Sequence, residues 1–294
     1  MRTYLECIPC FFRQALEVAK TSGLDEAHQK VLIDEVAKLV PSFALSTSPP
    51  EKARLIYKII HQITGERDPF YEIKERSNRL ILDLYPQLKE RVEKSDDRLL
   101  TAIELAIIGN IIDYGVSTYD EVEKGIKRLI HDCTMYSGEK AIFEYERFRS
   151  SLDRARMILY LADNAGEIVF DKLLIEELKS RGKEIIVAVK EEPVINDALT
   201  KDALDCGIDQ YARIISSGMD APGTILRMCS QSFLEHFYKA DLIISKGQGN
   251  YETLNEVNAP LFFMFMVKCA IVAQHIGCNL YNIILQGSRS EEAV

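Results

Sequence analysis

Residues 157–167 read MILYLADNAGE: an apolar run halts at Asp163 and Asn164, then passes into Gly166 and Glu167. The run Met157 to Ala162 is too short for a buried helix and ends in a turn-forming cluster, so it predicts a buried parallel strand. The next residues, IVFDKLLIEELKSRG, carry apolar side chains at helical spacing and close with Gly182 just past Arg181, a C-cap signal. In open α/β sheets ligands bind outside the carboxyl ends of the strands, where the following helix N-terminus favours an anion. Asp163 and Asn164 stand at that point as candidate hard oxygen ligands. The plainer alternative is an Asn-Ala-Gly turn with Asp163 as helix N-cap.

Repetition weighs against the plainer reading. EIIVAVK (184–190) predicts a second strand, followed by EEPVIND and a short amphipathic helix, ALTKDALDCG, whose N-cap region contains Asn196 and Asp197. ARIISS (212–217) predicts a third, leaving through GMDAPGT with Ser217, Gly218, Asp220 and the helix-starting Thr224. DLIISK (241–246) is a fourth, leaving through Lys246 into Gly247, Gly249 and Asn250 before the helix-like YETLNEV. Lys246 beside glycine amides suits an anion, because no Cβ obstructs a close approach. PLFFMFMV (260–267) is a fifth, ending at Lys268. Polar side chains at neighbouring carboxyl ends of a parallel sheet converge on one crevice, which favours a shared site over independent turns.

The chain of 294 residues is long for one domain and comfortable for two, and 47% hydrophobic with 28% charged residues is an ordinary globular balance. A formal net charge of -9 disfavours nucleic acid or an anionic membrane as partner, so an anionic substrate must be held by local cations or a metal. No leader-like pattern is present at Met1 to Cys10, and the longest apolar stretch, 259 to 267, is too short to span a bilayer. These features predict a soluble cytoplasmic protein, with an oligomeric state that the sequence leaves open. Seven scattered cysteines do not form a secreted disulfide framework, so reduced thiols are expected. Cys7-Ile-Pro-Cys10 is a lone CxxC ahead of the amphipathic helix FFRQALEVAKTSG. It lacks the further ligands of a structural zinc site and the preceding strand of a thioredoxin motif, so packing is favoured over metal or redox use.

Residues 1–150 read as an all-α N-terminal domain, with apolar spacing that predicts helices over 11–22, 25–41, 50–63, 70–93, 97–112, 119–131 and 138–150. From about 152 the pattern alternates between strands and helices, predicting an α/β domain over 151–294 with a Rossmann-like, mostly parallel sheet flanked by helices. In AIIGNIIDYG (106–115), Asn110 and Asp113 share one helical face amid apolar neighbours. Either this helix end approaches solvent, or the helical domain closes over the crevice and presents both side chains to it. Asp68 reads as a turn and cap residue, Lys74 as an exposed helical charge, and the five histidines show no ligand spacing.

The segments ADNAGE, PVIND, SSGMDAPGT, ISKGQGNYETL and VKC, with CIPC and GNIIDYG ahead of them, resemble the DUF89 family of metal-dependent damage-control phosphatases, in particular its archaeal and bacterial CxxC-containing branch. The likeness runs over nearly the whole chain and keeps the family's motif order. It implies a helical N-terminal domain on an α/β domain with a divalent metal in the crevice. Its metal ligands fall on Asp163, Asn164 and Asp197. Its phosphate-side residues fall on Lys246 and neighbouring backbone amides, with Asn110 and Asp113 from the helical part. Two carboxylates and an amide oxygen suit Mg²⁺ or Mn²⁺, with Co²⁺ or Ni²⁺ as softer alternatives. Asp163, Glu167 and Lys246 are the catalytic candidates, with Glu167 as general base or orienting group. Ser217, Gly218, Gly247, Gly249, Asn250 and Lys268 complete the substrate side. The expected partner is a small phosphorylated metabolite such as a sugar phosphate, nucleotide or cofactor-related phosphate. The competing readings are a non-catalytic metal-dependent phosphometabolite binder and an S-adenosylmethionine-dependent carboxyl methyltransferase. For the latter, DNAGE lacks the usual glycine-rich loop.

Overall fold

Apolar stripes on the first hundred residues fold as α1 (Cys7–Thr21), α2 (Glu26–Leu39), α3 (Pro49–Thr64), α4 (Tyr71–Lys94) and α5 (Arg98–Gly109). The structure, a computed structural model, describes residues 1–110 and 139–288. The expected helix at 119–131, together with Asp113, lies outside the described residues. Local chemistry sets the helix ends where the sequence signals them. Asp25 and Asp97 cap α2 and α5 through His28 N and Leu100 N, and Gly65 closes α3 in the left-handed conformation.

The remainder alternates as β1 (Lys140–Phe143), α6 (Tyr145–Arg154), β2 (Met157–Leu161), α7 (Glu167–Ser180), β3 (Glu184–Val189), α8 (Thr200–Asp205) and β4 (Arg213–Ser216). It continues through α9 (Gln231–Lys239), β5 (Leu242–Lys246), α10 (Gln248–Leu254), β6 (Leu261–Met266), α11 (Ala270–Ile276) and β7 (Ile283–Gly287). The strands form one seven-stranded sheet in the order β1-β7-β6-β5-β2-β3-β4, parallel except for the antiparallel β6–β7 pair. The five apolar runs expected as strands are β2 to β6. Chain order reverses between β2 and β5, which places a crevice at their carboxyl ends.

The expected helix at 138–150 divides into β1 and α6. The segment KAIF pairs in parallel with β7, and a four-residue edge strand carries too few residues for its period to show against the helix that follows. The run IILQG, not among the expected strands, forms β7. Thr224 starts no α-helix: a 3-10 turn at Leu226–Met228 follows, and the Thr224 hydroxyl donates to Asn250 Oδ1 at 2.7 Å.

The hydrophobic core does not divide at residue 150. Ile81, Leu99, Ile103 and Ile107 of α4 and α5 belong to the same buried cluster as Ile158, Tyr160, Phe170 and Ile244 of the sheet and α7. α5 meets α7 so closely that a Cβ on Gly109 would stand 2.7 Å from Phe170 Cβ. On the opposite face α9, α10 and α11 bury Phe237, Tyr251 and Val272 against Phe263 and Phe265 of β6. Helices α1 to α3 form a separate cluster around Phe11, Val36 and Ile56, joined to the α/β part through Val194. Among the described residues no helix is long and apolar enough to cross a membrane.

Candidate functional site

The exits of β2 and β3 are stitched together by backbone hydrogen bonds. Ala165 N donates to Asn196 O and Ala198 N donates to Asp163 O, both at 2.8 Å, and an isolated bridge pairs Asn164 with Asp197. Asn196 and Asp197 therefore precede α8 as part of this stitch and do not cap it; Leu199 occupies the N-cap, with Asp202 returning to Leu199 N. Ile195 sits at φ 46°, a strained value for a β-branched residue, immediately beside these polar groups.

Asp163 is held from behind by two amides. Asn110 Nδ2 donates to Asp163 Oδ2 at 3.0 Å and to Glu167 Oε2 at 2.8 Å. Asn164 Nδ2 makes the same pair of bonds at 2.8 and 3.0 Å. Asn110 is fully buried at the end of α5 and also accepts from Met266 N, so the closing of the helical layer over the strand ends, read from GNIID, is realised at Asn110. Gly247, at φ 80°, lies directly against the Asp163 carboxylate, where any Cβ would overlap it. The glycine after Lys246 thus makes room for an acid side chain.

Lys246 is completely buried. Its ammonium donates to Glu167 Oε1 at 2.7 Å, to Ala106 O at 2.9 Å and to Asp171 Oδ1. Burial alone would pull its pKa down, but Asp171 and Glu167 outweigh that and hold it up to about 12. One cation faces two carboxylates in a dry setting. Burial, with repulsion from Glu167, pushes the Asp171 carboxyl up to about 7 against the opposing pull of Lys246. Tyr160 donates its hydroxyl to Asp171 at 2.7 Å. Glu167 is likewise fully enclosed.

Asp163, Asn164, Asn196 and Asp197 line a cavity of about 370 Å³, together with Gly249 and Lys268. Lys190, buried at the exit of β3, donates to Gly223 O and stands 3.5 Å from Asp197 Oδ2. The cavity thus gathers Asp163, Asn164, Asp197, Gly249 and Lys268 from the expected set. Asn110, Glu167, Lys246, Gly247 and Asn250 are packed in the layer behind it, and Asn250 donates to Lys246 O. Ser217 and Gly218 do not reach the cavity. The Ser217 hydroxyl donates to Val189 O at 2.9 Å, and a Cβ on Gly218 would meet Ser230, so both belong to strand-exit packing. Asp220 is tied to Arg54 on α3.

Sequence reasoning passed over Asn78, Lys190 and Asp171. Lys190 closes an apolar strand, and Asp171 lies one helical turn beyond Glu167, positions that signal buried charge. Lys74, expected as an exposed charge, is buried and pairs with Asp68 at 2.5 Å and Asp202 at 3.9 Å.

The chain's residues 3–284 match the family model described as the damage-control phosphatase ARMT1-like domain. The chain belongs to that family. Its relatives include a damage-control phosphatase of Pyrococcus horikoshii, 33% identical over 94% of this chain and 94% of that protein. A damage-control phosphatase of Archaeoglobus fulgidus is 32% identical over 95% of this chain and 96% of its own length. An uncharacterized protein of Methanocaldococcus jannaschii is 35% identical over 95% and 93%. The crystal structure of a DUF89 family protein from P. horikoshii superposes with a TM-score of 0.84 at 30% identity, covering 98% of this chain and 100% of that one. Damage-control phosphatases of this family are generally metal-dependent. Among the described residues no three His, Cys, Asp or Glu side chains gather as a metal cluster. The donor set at the cavity is instead two carboxylates with amide oxygens, which fits a hard divalent cation that keeps open positions.

Proposed function

We propose that this protein is a metal-dependent phosphatase that hydrolyses a small phosphorylated metabolite in the cavity at the carboxyl ends of β2, β3, β5 and β6. The observation that carries the reading is the set Asp163, Asn164 and Asp197 on one wall of that cavity, with Lys268 also lining it. Asp163, Asn164 and Asp197 would hold the divalent cation, drawn from Mg²⁺, Mn²⁺, Co²⁺ or Ni²⁺. When bound, the cation supplies Lewis-acid polarisation of a phosphoryl oxygen. Asn110 and Asn164 fix Asp163 Oδ2 and so orient that carboxylate toward the cavity. Lys268 and the Gly249 segment receive the phosphate charge. Lys246, enclosed and bonded to Glu167, acts as a positioning residue: it holds the Glu167 carboxyl in place, and Glu167 keeps the two amides aimed at Asp163. The free cysteines on the described residues suit a reducing, cytoplasmic setting.

Phosphate release from a phosphomonoester panel, with each metal added in turn to the metal-stripped protein, tests the reading. Metal-stimulated release is expected, and Asp163→Asn should lower it by about 100-fold or more while weakening metal binding in calorimetry. Wild-type turnover by that variant would refute the assignment. Ligand-induced thermal stabilisation without phosphate release would identify a binding protein instead.

A further inference from the structure

Glu252 is a carboxyl on the cavity wall that neither holds the metal nor positions the residues that do. It stands on α10, the helix that begins just past the exit at Lys246 and Gly247, and it lines the same chamber of about 370 Å³ as Asp163, Asp197 and Lys268. It is buried. The local geometry gives its two oxygens different tasks. Lys268 N, which can only donate, bonds Gln248 Oε1 at 3.1 Å and so fixes which end of the Gln248 amide is the nitrogen. That nitrogen donates to Glu252 Oε1 at 2.9 Å. Oε1 is thereby an acceptor, and when the carboxyl is neutral its proton resides on Oε2. No second side-chain hydrogen bond to Glu252 occurs among the described residues, which leaves Oε2 to the cavity.

Burial pushes the Glu252 carboxyl up to about 7, against the opposing pull of Gln248 and the Met1 ammonium. Met1 donates that ammonium to Glu252 O at 2.8 Å and lies 3.6 Å from Glu256. On the α1 side Cys7 and Cys10 face Glu252 as thiols, with burial pushing Cys7 up to about 11 and raising Cys10 as well, so neither is a useful acid near neutrality. Cys269, at the N-cap of α11, stands close to both. Glu6 and Arg13 reach the cavity from exposed positions. Glu252 is thus an enclosed acid poised to deliver and recover a proton near neutral pH.

Resting on the phosphatase reading above, we infer that Glu252 is the general acid that protonates the leaving oxygen of the phosphomonoester. As the oxygen of the attacking water forms its bond to phosphorus, the P–O bond to the leaving group breaks and its electron pair stays on the leaving oxygen. The proton on Glu252 Oε2 moves to that oxygen, and the product departs as a neutral alcohol. The water keeps one proton on the inorganic phosphate and gives the other to solvent, from which the Glu252 carboxylate is reprotonated. Gln248, bonded to Oε1, is a positioning residue that keeps Oε2 turned to the leaving group.

The test compares two esters on the full chain loaded with Mn²⁺: glycerol phosphate, whose alkoxide must be protonated to leave, and p-nitrophenyl phosphate, whose phenolate leaves unaided. Glu252→Gln keeps the shape and removes the proton. It should lower kcat/KM on glycerol phosphate about 100-fold or more and on p-nitrophenyl phosphate about threefold or less. n-Propylphosphonate, which is not hydrolysed, should bind the variant as it binds the wild type in calorimetry. In the wild type, kcat/KM on glycerol phosphate should fall as pH rises through about 7, because the acid form is lost, while p-nitrophenyl phosphate lacks that descent. Equal losses on both esters in Glu252→Gln, or no loss on either, would overturn the assignment. If the variant does not fold, the wild-type profiles decide: a descent shared by both esters, or absent from both, overturns it equally. Phosphonate binding with no phosphate release from either ester by the wild type removes the phosphatase reading and this step with it. Turnover of both esters without a selective loss removes the role of Glu252 alone.

Discussion

Gly247 and Asp163 show how closely the candidate site is constrained. A residue that donates no side chain is required there because the acid needs the space, and the backbone at φ 80° would already disfavour an L side chain. Gly247→Ala should push the Asp163 carboxylate off its two amide donors. The expected loss is about 100-fold in kcat/KM, with an unchanged far-ultraviolet spectrum, because a displacement near 1 Å at a reacting centre has that scale of effect. Undiminished kcat/KM would mean that Asp163 tolerates displacement. At this scale the sequence was readable where a residue's chemistry is local: DNAGE, IND and KGQGN each carry their own turn and ligand signals. It was not readable for Lys246. A lysine at a strand exit beside glycines looks like an anion site, and only the three-dimensional placement of Glu167 and Asp171 one helical turn apart reveals that its charge is consumed inside the protein.

At the scale of elements, α4 locks the loop between β2 and α7. Gly166 N donates to Asn78 Oδ1 at 2.6 Å, and Asn78 Nδ2 donates to Asp202 Oδ1 at 2.9 Å, so one buried amide links α4, the DNAGE loop and α8. Asn78→Ala leaves two buried groups without partners. Its expected cost is about 1–3 kcal/mol in denaturant unfolding, with metal affinity lowered about 10- to 100-fold. A stability loss without any change in metal affinity would limit Asn78 to packing. The five strands β2 to β6 were legible because each is a short apolar run closed by a polar exit. β1 was not, since it is four residues long and pairs with β7, a partner remote in sequence. The same limit hid Asn78, whose partners lie 88 and 124 positions away.

Across the whole molecule, the buried group of Lys246, Glu167, Asp171 and Tyr160 couples stability to pH. Asp171 has its carboxyl raised from 3.8 to about 7 on folding, chiefly by burial. Its favourable contribution is therefore complete below pH 3.8 and is lost as pH rises toward 7, because the folded state there binds more protons than the unfolded one. Asp171→Asn mimics the protonated form. The thermal midpoint of the wild type should fall relative to that variant between pH 4 and 7 and run parallel to it above 7, in calorimetric scans without added metal. A constant difference across this range would show that Asp171 does not titrate there. The change from helices to alternation near residue 150 was legible as a change of period. That α4 and α5 share the sheet's core was hidden, because an amphipathic stripe states that a face is buried and not what it is buried against.

The two outermost strands, β1 and β4, bear on how the protein behaves in a crowded solution. Each is only four residues long, and each begins with an exposed cationic side chain, Lys140 or Arg213, with Lys140 further anchored to Glu104 at 2.6 Å. A sheet whose central strands are almost wholly apolar thus ends on both flanks in short, charged margins. Such margins offer a neighbouring molecule little ladder to extend, so they guard against edge-to-edge aggregation.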